Sequence, residues 1–204
     1  MPVAGGASVT QCSERLLASQ QSAMGGSSSR TLDTVPRVDV PKLMGAWFVI
    51  ATMPTPFEKG AHNAIETYTM GKGPHCVDVA FEYNKNAFDG KITSIPQRGS
   101  SWVSDNPAGW KVSPFWPLKM PYLVIDQSPE PLDDDNSWFV VGYPSRSYCW
   151  VMARRPEMDE KTYDGIASRL VETHGYPPGL PSMVKIPQAW ARDKATKLGW
   201  KKKH

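Results

Sequence analysis

Histidine, cysteine and acidic side chains are where chemistry would have to start, and in this chain they are scattered. His62, His75, His174 and His204 stand alone, without the i, i+4 or short-loop spacing that a metal site needs. Cys12, Cys76 and Cys149 are odd in number and form no C-x-x-C pair, so neither a zinc site nor a redox motif is written here. A disulfide framework is disfavoured, which points to a reducing compartment, though spacing leaves a Cys76–Cys149 bridge open. Asp133, Asp134 and Asp135 read as a solvated turn. There is no P-loop, no G-x-G-x-x-G and no G-x-S-x-G, and no nucleophile stands beside a base. The expectation is a chain with no catalytic residue, no metal and no cofactor.

What remains is apolar and aromatic chemistry. Eight tryptophans and 19 prolines among 204 residues suit a β-container with an aromatic lining and stiff loops. The net charge is only +3, and Lys201, Lys202 and Lys203 supply three positive charges at one end. The aromatics lie in strand patterns without interleaved basic residues, so no nucleic-acid partner is expected. No window approaches the roughly 20 apolar residues of a membrane-spanning helix. Residues 1–36 are rich in Ser, Ala, Gly and Gln and lack the apolar core of a secretory signal. They read as a disordered leader or an organellar transit segment, and the location expected is intracellular, cytoplasmic or organellar. Residues 177–204 form a proline-rich and then basic extension; both tails are candidate docking points for protein partners.

Holding aromatics around a hollow requires strands, and the pattern supplies them over 37–176. Gly45 to Met53 is a β-branched and aromatic run ended by Pro54. Gly45, Trp47, Val49 and Ala51 share one face by the period of two, and the glycine leaves room for the indole to lie flat against backbone. Phe57, in the proline-stiffened connection that follows, is expected at the container's mouth. Val77, Val79, Phe81 and Tyr83 alternate with Asp78, Ala80, Glu82 and Asn84, giving one dry face. Further strands are predicted at 62–71, 88–104, 109–115, 122–127, 137–143 and 147–154, with a kink or bulge at Pro96 and Gly99. Trp110, Val112, Tyr122 and Val124 are candidates for the interior. Short connections make an antiparallel meander, and eight such strands close as an up-and-down barrel. A 3₁₀ turn is expected at 42–44. A helix is predicted at 158–173, N-capped by Asp159, with Tyr163, Ile166, Ala167 and Leu170 against the outer wall.

Two blocks resemble the lipocalin family. Gly45-x-Trp47 followed by Pro54-Thr-Pro-Phe-Glu-Lys59 looks like its opening, and Gly142 to Pro156 looks like its last strand, which ends in an arginine. The likeness covers about 38–176 and is to the bacterial outer-membrane, plant temperature-induced and apolipoprotein D branch. It implies the all-β lipocalin calyx with one C-terminal α-helix packed outside. It also implies that Arg154 lies over Trp47 beside Gly45 as the barrel floor, a stack worth roughly 0.5–2 kcal/mol. The last strand then turns Met152, Trp150 and Tyr148 inward. Matching Tyr68 to an aromatic held inside family members puts Ala64, Glu66, Tyr68 and Met70 inward too. A carboxylate there costs several kcal/mol unless paired or protonated. Glu66 therefore either bonds a ligand head, Tyr68 or Tyr122, or the strand is offset by one residue and Glu66 faces water.

The same resemblance implies one small hydrophobic ligand, such as a fatty acid, lysophospholipid, sterol or isoprenoid, carried or scavenged in the barrel. A membrane surface and protection of lipids from stress damage go with it. Residues 113–121 carry three prolines with Phe115, Trp116, Leu118 and Met120, an apolar loop suited to shallow membrane insertion, a partner surface or a lid over the mouth. An alternative is an accessory subunit that uses the barrel as a scaffold in a larger assembly. A third reading is a lipocalin-type enzyme on an isoprenoid or lipid, resembling the prostaglandin synthases or the xanthophyll-cycle de-epoxidases; the former needs an inward cysteine, and by alternation Cys149 faces away from Trp150.

Overall fold

β-Branched and aromatic runs become strands wherever the alternation was clean. The computed structural model describes residues 31–72, 76–100, 107–113, 117 and 119–190, and the chain from Leu32 onward makes one compact unit. Its strands are β1 (Gly45–Met53), β2 (Ala61–Met70), β3 (Val77–Lys85), β4 (Ile92–Ser100), β5 (Gly109–Ser113), β6 (Met120–Gln127), β7 (Trp138–Gly142), β8 (Cys149–Ala153) and the short β9 (Val184–Lys185). Two helices accompany them, α1 (Val40–Leu43) and α2 (Glu160–Glu172). The pairs from β1–β2 through β7–β8 are antiparallel, and β1 also pairs with β8, so the eight strands close into a barrel. α1 is a single helical turn in place of the expected 3₁₀ turn, and its Leu43 is fully buried.

Barrel walls have two faces, and here each has its own core. Inside lie Trp47, Val49, Ala64, Tyr68, Val79, Phe81, Trp110, Val112, Tyr122, Val124, Phe139 and Met152. Outside, Phe48, Ile65, Val151 and Cys149 pack under Ile166 and Leu170 of α2. Asp159 caps α2, its Oδ1 accepting from the Thr162 amide at 2.9 Å. Past the helix end, Gly175 takes a positive φ of 70°.

Three β-bulges set which residues face where. They fall between Val49 and Ala51 in β1, between His62 and Ile65 in β2, and between Val124 and Asp126 in β6. The first corrects one expectation: Ala51 lies in the outer cluster, because one extra residue reverses the phase of the strand. Met70, also expected inside, is 55% exposed at the end of β2. The kink expected in β4 is absent from its pairing with β3, where Pro96 sits in register opposite Ala80. Gly99 serves close approach instead, since a Cβ there would stand 1.7 Å from the Val77 carbonyl oxygen.

The bulges of β1 and β2 face each other across a seam. Their pairing ends at Phe48 opposite Ile65, and a segment of the expected C-terminal extension fills the gap. β9 pairs with Ala51 and Thr52. The Ile186 amide donates to Ile50 O at 2.9 Å, and the Asn63 amide to Pro187 O at 2.8 Å. Gln188 Nε2 then donates to Val49 O at 2.8 Å and to Ala64 O at 3.1 Å, one carbonyl on each strand. Ile186 joins the inner core.

Candidate functional site

The floor is built from α1, β1 and the residue after β8. The Arg154 guanidinium lies 3.8 Å from the centre of the Trp47 ring. It donates to Leu132 O at 2.9 Å, Ala46 O at 2.9 Å, Lys42 O at 2.8 Å and Met44 O at 2.9 Å. Two of those acceptors stand at the end of α1, where carbonyls lack helical partners. Trp47 Nε1 donates to Leu43 O at 2.7 Å. Burial lowers the Arg154 pKa to about 10, which still leaves it charged at neutral pH. Gly45 belongs to this floor for a reason other than the one expected. Its φ is +100°, and a Cβ would meet Arg154 Nη1 at 3.3 Å, so it makes room for the guanidinium.

Above the floor the interior is filled. Phe139 meets Trp47 edge-on at 4.6 Å and Tyr68 at 5.9 Å between ring centres. Val49, Ala64, Val79, Trp110 and Val124 complete this packed layer. Trp110 stacks on Tyr122 at 4.8 Å, and its buried Nε1 has no hydrogen-bond partner among the described residues.

Glu66 faces inward at the top of that layer, so the offset-by-one alternative is excluded. The Tyr68 hydroxyl donates to Glu66 Oε2 and also meets the Tyr122 hydroxyl. Tyr122 Oη lies 3.1 Å from the same Oε2. Glu66 Oε1 accepts no hydrogen bond from any described residue. Burial is the main force on the group and raises its pKa from 4.5 to about 7; the Tyr68 bond opposes this, the Glu58 charge adds to it, and the Tyr122 bond opposes it. Burial likewise pushes both tyrosine hydroxyls well above their ordinary value.

Between this triad and the mouth lies a cavity of about 360 Å³. Phe57, Glu66, Phe81, Val112, Tyr122, Tyr148 and Trp150 line it, as the sequence suggested, and Phe57 is 60% exposed at the rim. Met120, assigned to the apolar loop, is instead half-buried in β6 opposite Val112 and lines the same cavity. Phe115, Trp116 and Leu118 lie outside the described residues. The sequence reading missed Thr55, Ile95, Gln97, Tyr143 and above all Glu58. Glu58 Oε1 accepts from Trp150 Nε1 at 2.8 Å, and Oε2 from the Thr55 amide at 2.7 Å. Its signal was there, a lone acid in a Pro-x-Pro-Phe-Glu turn.

Chemically the cavity can hold and orient an apolar molecule. Cys76 and Cys149 are not bridged to each other. Cys149 is buried in the outer cluster beneath α2, and burial holds its thiol far above the ordinary range. A wider groove of about 970 Å³ runs outside the barrel along α2, but charged side chains of both signs line it, among them Glu130, Asp135, Arg155 and Lys161.

A lipocalin-like domain family matches residues 38–180. The chain is 27% identical over 168 residues to temperature-induced lipocalin-1 of Arabidopsis thaliana, spanning 78% of this chain and 84% of that protein. It is 26% identical over 139 residues to the outer membrane lipoprotein Blc of Escherichia coli K12, spanning 65% and 71%. Among solved structures, the cockroach allergen Per a 4 shares the fold with a TM-score of 0.54 and 16% identity, over 78% of this chain and 93% of that one. Insecticyanin from the tobacco hornworm Manduca sexta gives a TM-score of 0.54 and 11% identity, over 81% and 88%.

Proposed function

Because this chain belongs to the lipocalin family, in which binding of small hydrophobic ligands is the rule, we propose that it carries or scavenges one such molecule in the cavity beneath Phe57. The observation that carries this reading is the division of the barrel interior. A packed, sealed lower half supports an open upper half of about 360 Å³, within the range typical of ligand sites. Its walls are mostly apolar and aromatic, with a few fixed polar groups at depth. Purified protein incubated with a natural lipid extract should show one bound lipid per chain by native mass spectrometry. Val112→Trp, which fills the cavity, should lose it; a wild-type barrel that stays empty would end the carrier reading.

The setting we propose is a membrane surface. Phe115, Trp116 and Leu118 put three large apolar side chains between prolines, next to the exposed Lys119, a composition suited to the bilayer interface. The bacterial relative is by name an outer membrane lipoprotein, which agrees. Among the described residues no helix is long and apolar enough to cross a membrane; the contact proposed is shallow insertion of this loop. Replacing all three with serine should abolish co-sedimentation with liposomes while leaving lipid loading intact. Unchanged sedimentation would reject the membrane setting.

A further inference from the structure

The cavity wall carries acids together with neutral donors, the hydroxyls of Thr55, Tyr143 and Tyr148 and the Gln97 amide, and among the described residues it holds no cation. Two carboxylates, Glu58 and Glu66, line it, and no lysine, arginine or histidine does so among the described residues. Both oxygens of Glu58 are already used, by Trp150 Nε1 and the Thr55 amide. The hydroxyls of Tyr68 and Tyr122 are spent on Glu66 Oε2 and on each other. The triad therefore leaves one carboxyl oxygen without a partner among the described residues, Glu66 Oε1, and with the group ionised that oxygen accepts.

A ligand carboxylate placed here would meet Glu58 and, once the pH exceeds about 7, an ionised Glu66, in a low-dielectric hollow where no described residue supplies a counter-ion. A hydroxyl or ammonium group would instead satisfy the remaining acceptor. We propose that the cavity takes apolar molecules whose buried end donates a hydrogen bond, a hydroxyl or a protonated amine, and rejects those ending in a carboxylate. The proposal rests on the ligand-carrier reading and narrows it: long-chain and polycyclic alcohols and amines stay in the set, and fatty-acid anions leave it.

A chain-matched series tests this by isothermal titration calorimetry: dodecanol, dodecylamine and dodecanoate, each below its micelle concentration. The full chain is titrated at about pH 8.5, above the value to which burial raises Glu66, so that the carboxyl is ionised. Dodecanol and dodecylamine should bind in equimolar amount, each roughly ten-fold or more tighter than dodecanoate, which corresponds to one uncompensated charge contact. Glu66→Gln keeps the side chain's shape and should narrow that margin by about five-fold or more, with Glu58→Gln narrowing it less. Dodecanoate binding as tightly as dodecanol, or a margin untouched in both variants, overturns the head-group preference and leaves the carrier reading standing. Failure of all three to bind overturns both.

Discussion

At the residue scale, Glu66 sets a carboxyl inside a mostly apolar barrel. It is buried, and its pKa rises from 4.5 to about 7. The folded chain therefore binds this proton more tightly than the unfolded chain does. The stability that goes with it is complete below about pH 4.5, declines as the pH climbs, and is gone above about pH 7; integrated, the loss is about 3 kcal/mol. Glu66→Gln should lack this dependence over that window. Urea denaturation followed from about pH 4.5 to pH 8 should show wild type falling relative to the variant by roughly 2–3 kcal/mol; parallel curves would contradict the assignment. The sequence made this residue visible, since an acid in an apolar strand stands out, but it left its orientation open. The tyrosine hydroxyls that hold it decide the matter, and one of them comes from a strand 56 residues away. Glu58 escaped notice for a different reason: it sits in a connection, where no period dictates which side chains turn inward.

At the element scale, the join between β1 and β2 changes character halfway: the strands pair directly as far as Phe48 and Ile65, and residues 184–188 bridge them beyond. Gln188 Nε2 donates to Val49 O and Ala64 O, one carbonyl on each strand just past the point where their direct pairing ends. Gln188→Ala should cost about 1–3 kcal/mol, the penalty for stranding buried carbonyls, seen as a lowered urea midpoint with an unchanged slope. A change under about 0.5 kcal/mol would mean that water replaces the amide there. Strand positions were legible from alternation alone, and β1 matches the expected 45–53. The bulges were not, because a register shift belongs to a pair of strands, and only one strand of the pair can be read at a time. That is why Val49 faces the interior, as alternation requires, and Ala51 does not. β9 gave no signal either: two exposed residues, Val184 and Lys185, have no period to detect.

At the scale of the whole molecule, the eight-stranded barrel and its outer helix follow from patterns that are local: short turns, period two, then one amphipathic helix with a capping aspartate. How much of the interior stays open does not follow from them. It depends on how high Trp47, Phe139 and Tyr68 stack above the floor, a matter of rotamers. The seam adds a consequence in time. Gln188 stands 139 residues from Val49 and 124 from Ala64, whereas successive strands of the meander are close neighbours in the chain. Loops that long close slowly and late. Pulse-labelled hydrogen exchange during refolding should therefore find the Asn63 and Ile186 amides protected after those of β3 and β4. Until that final stitch is drawn, the nascent container stands slit along one side, with its oily lining open to whatever drifts past.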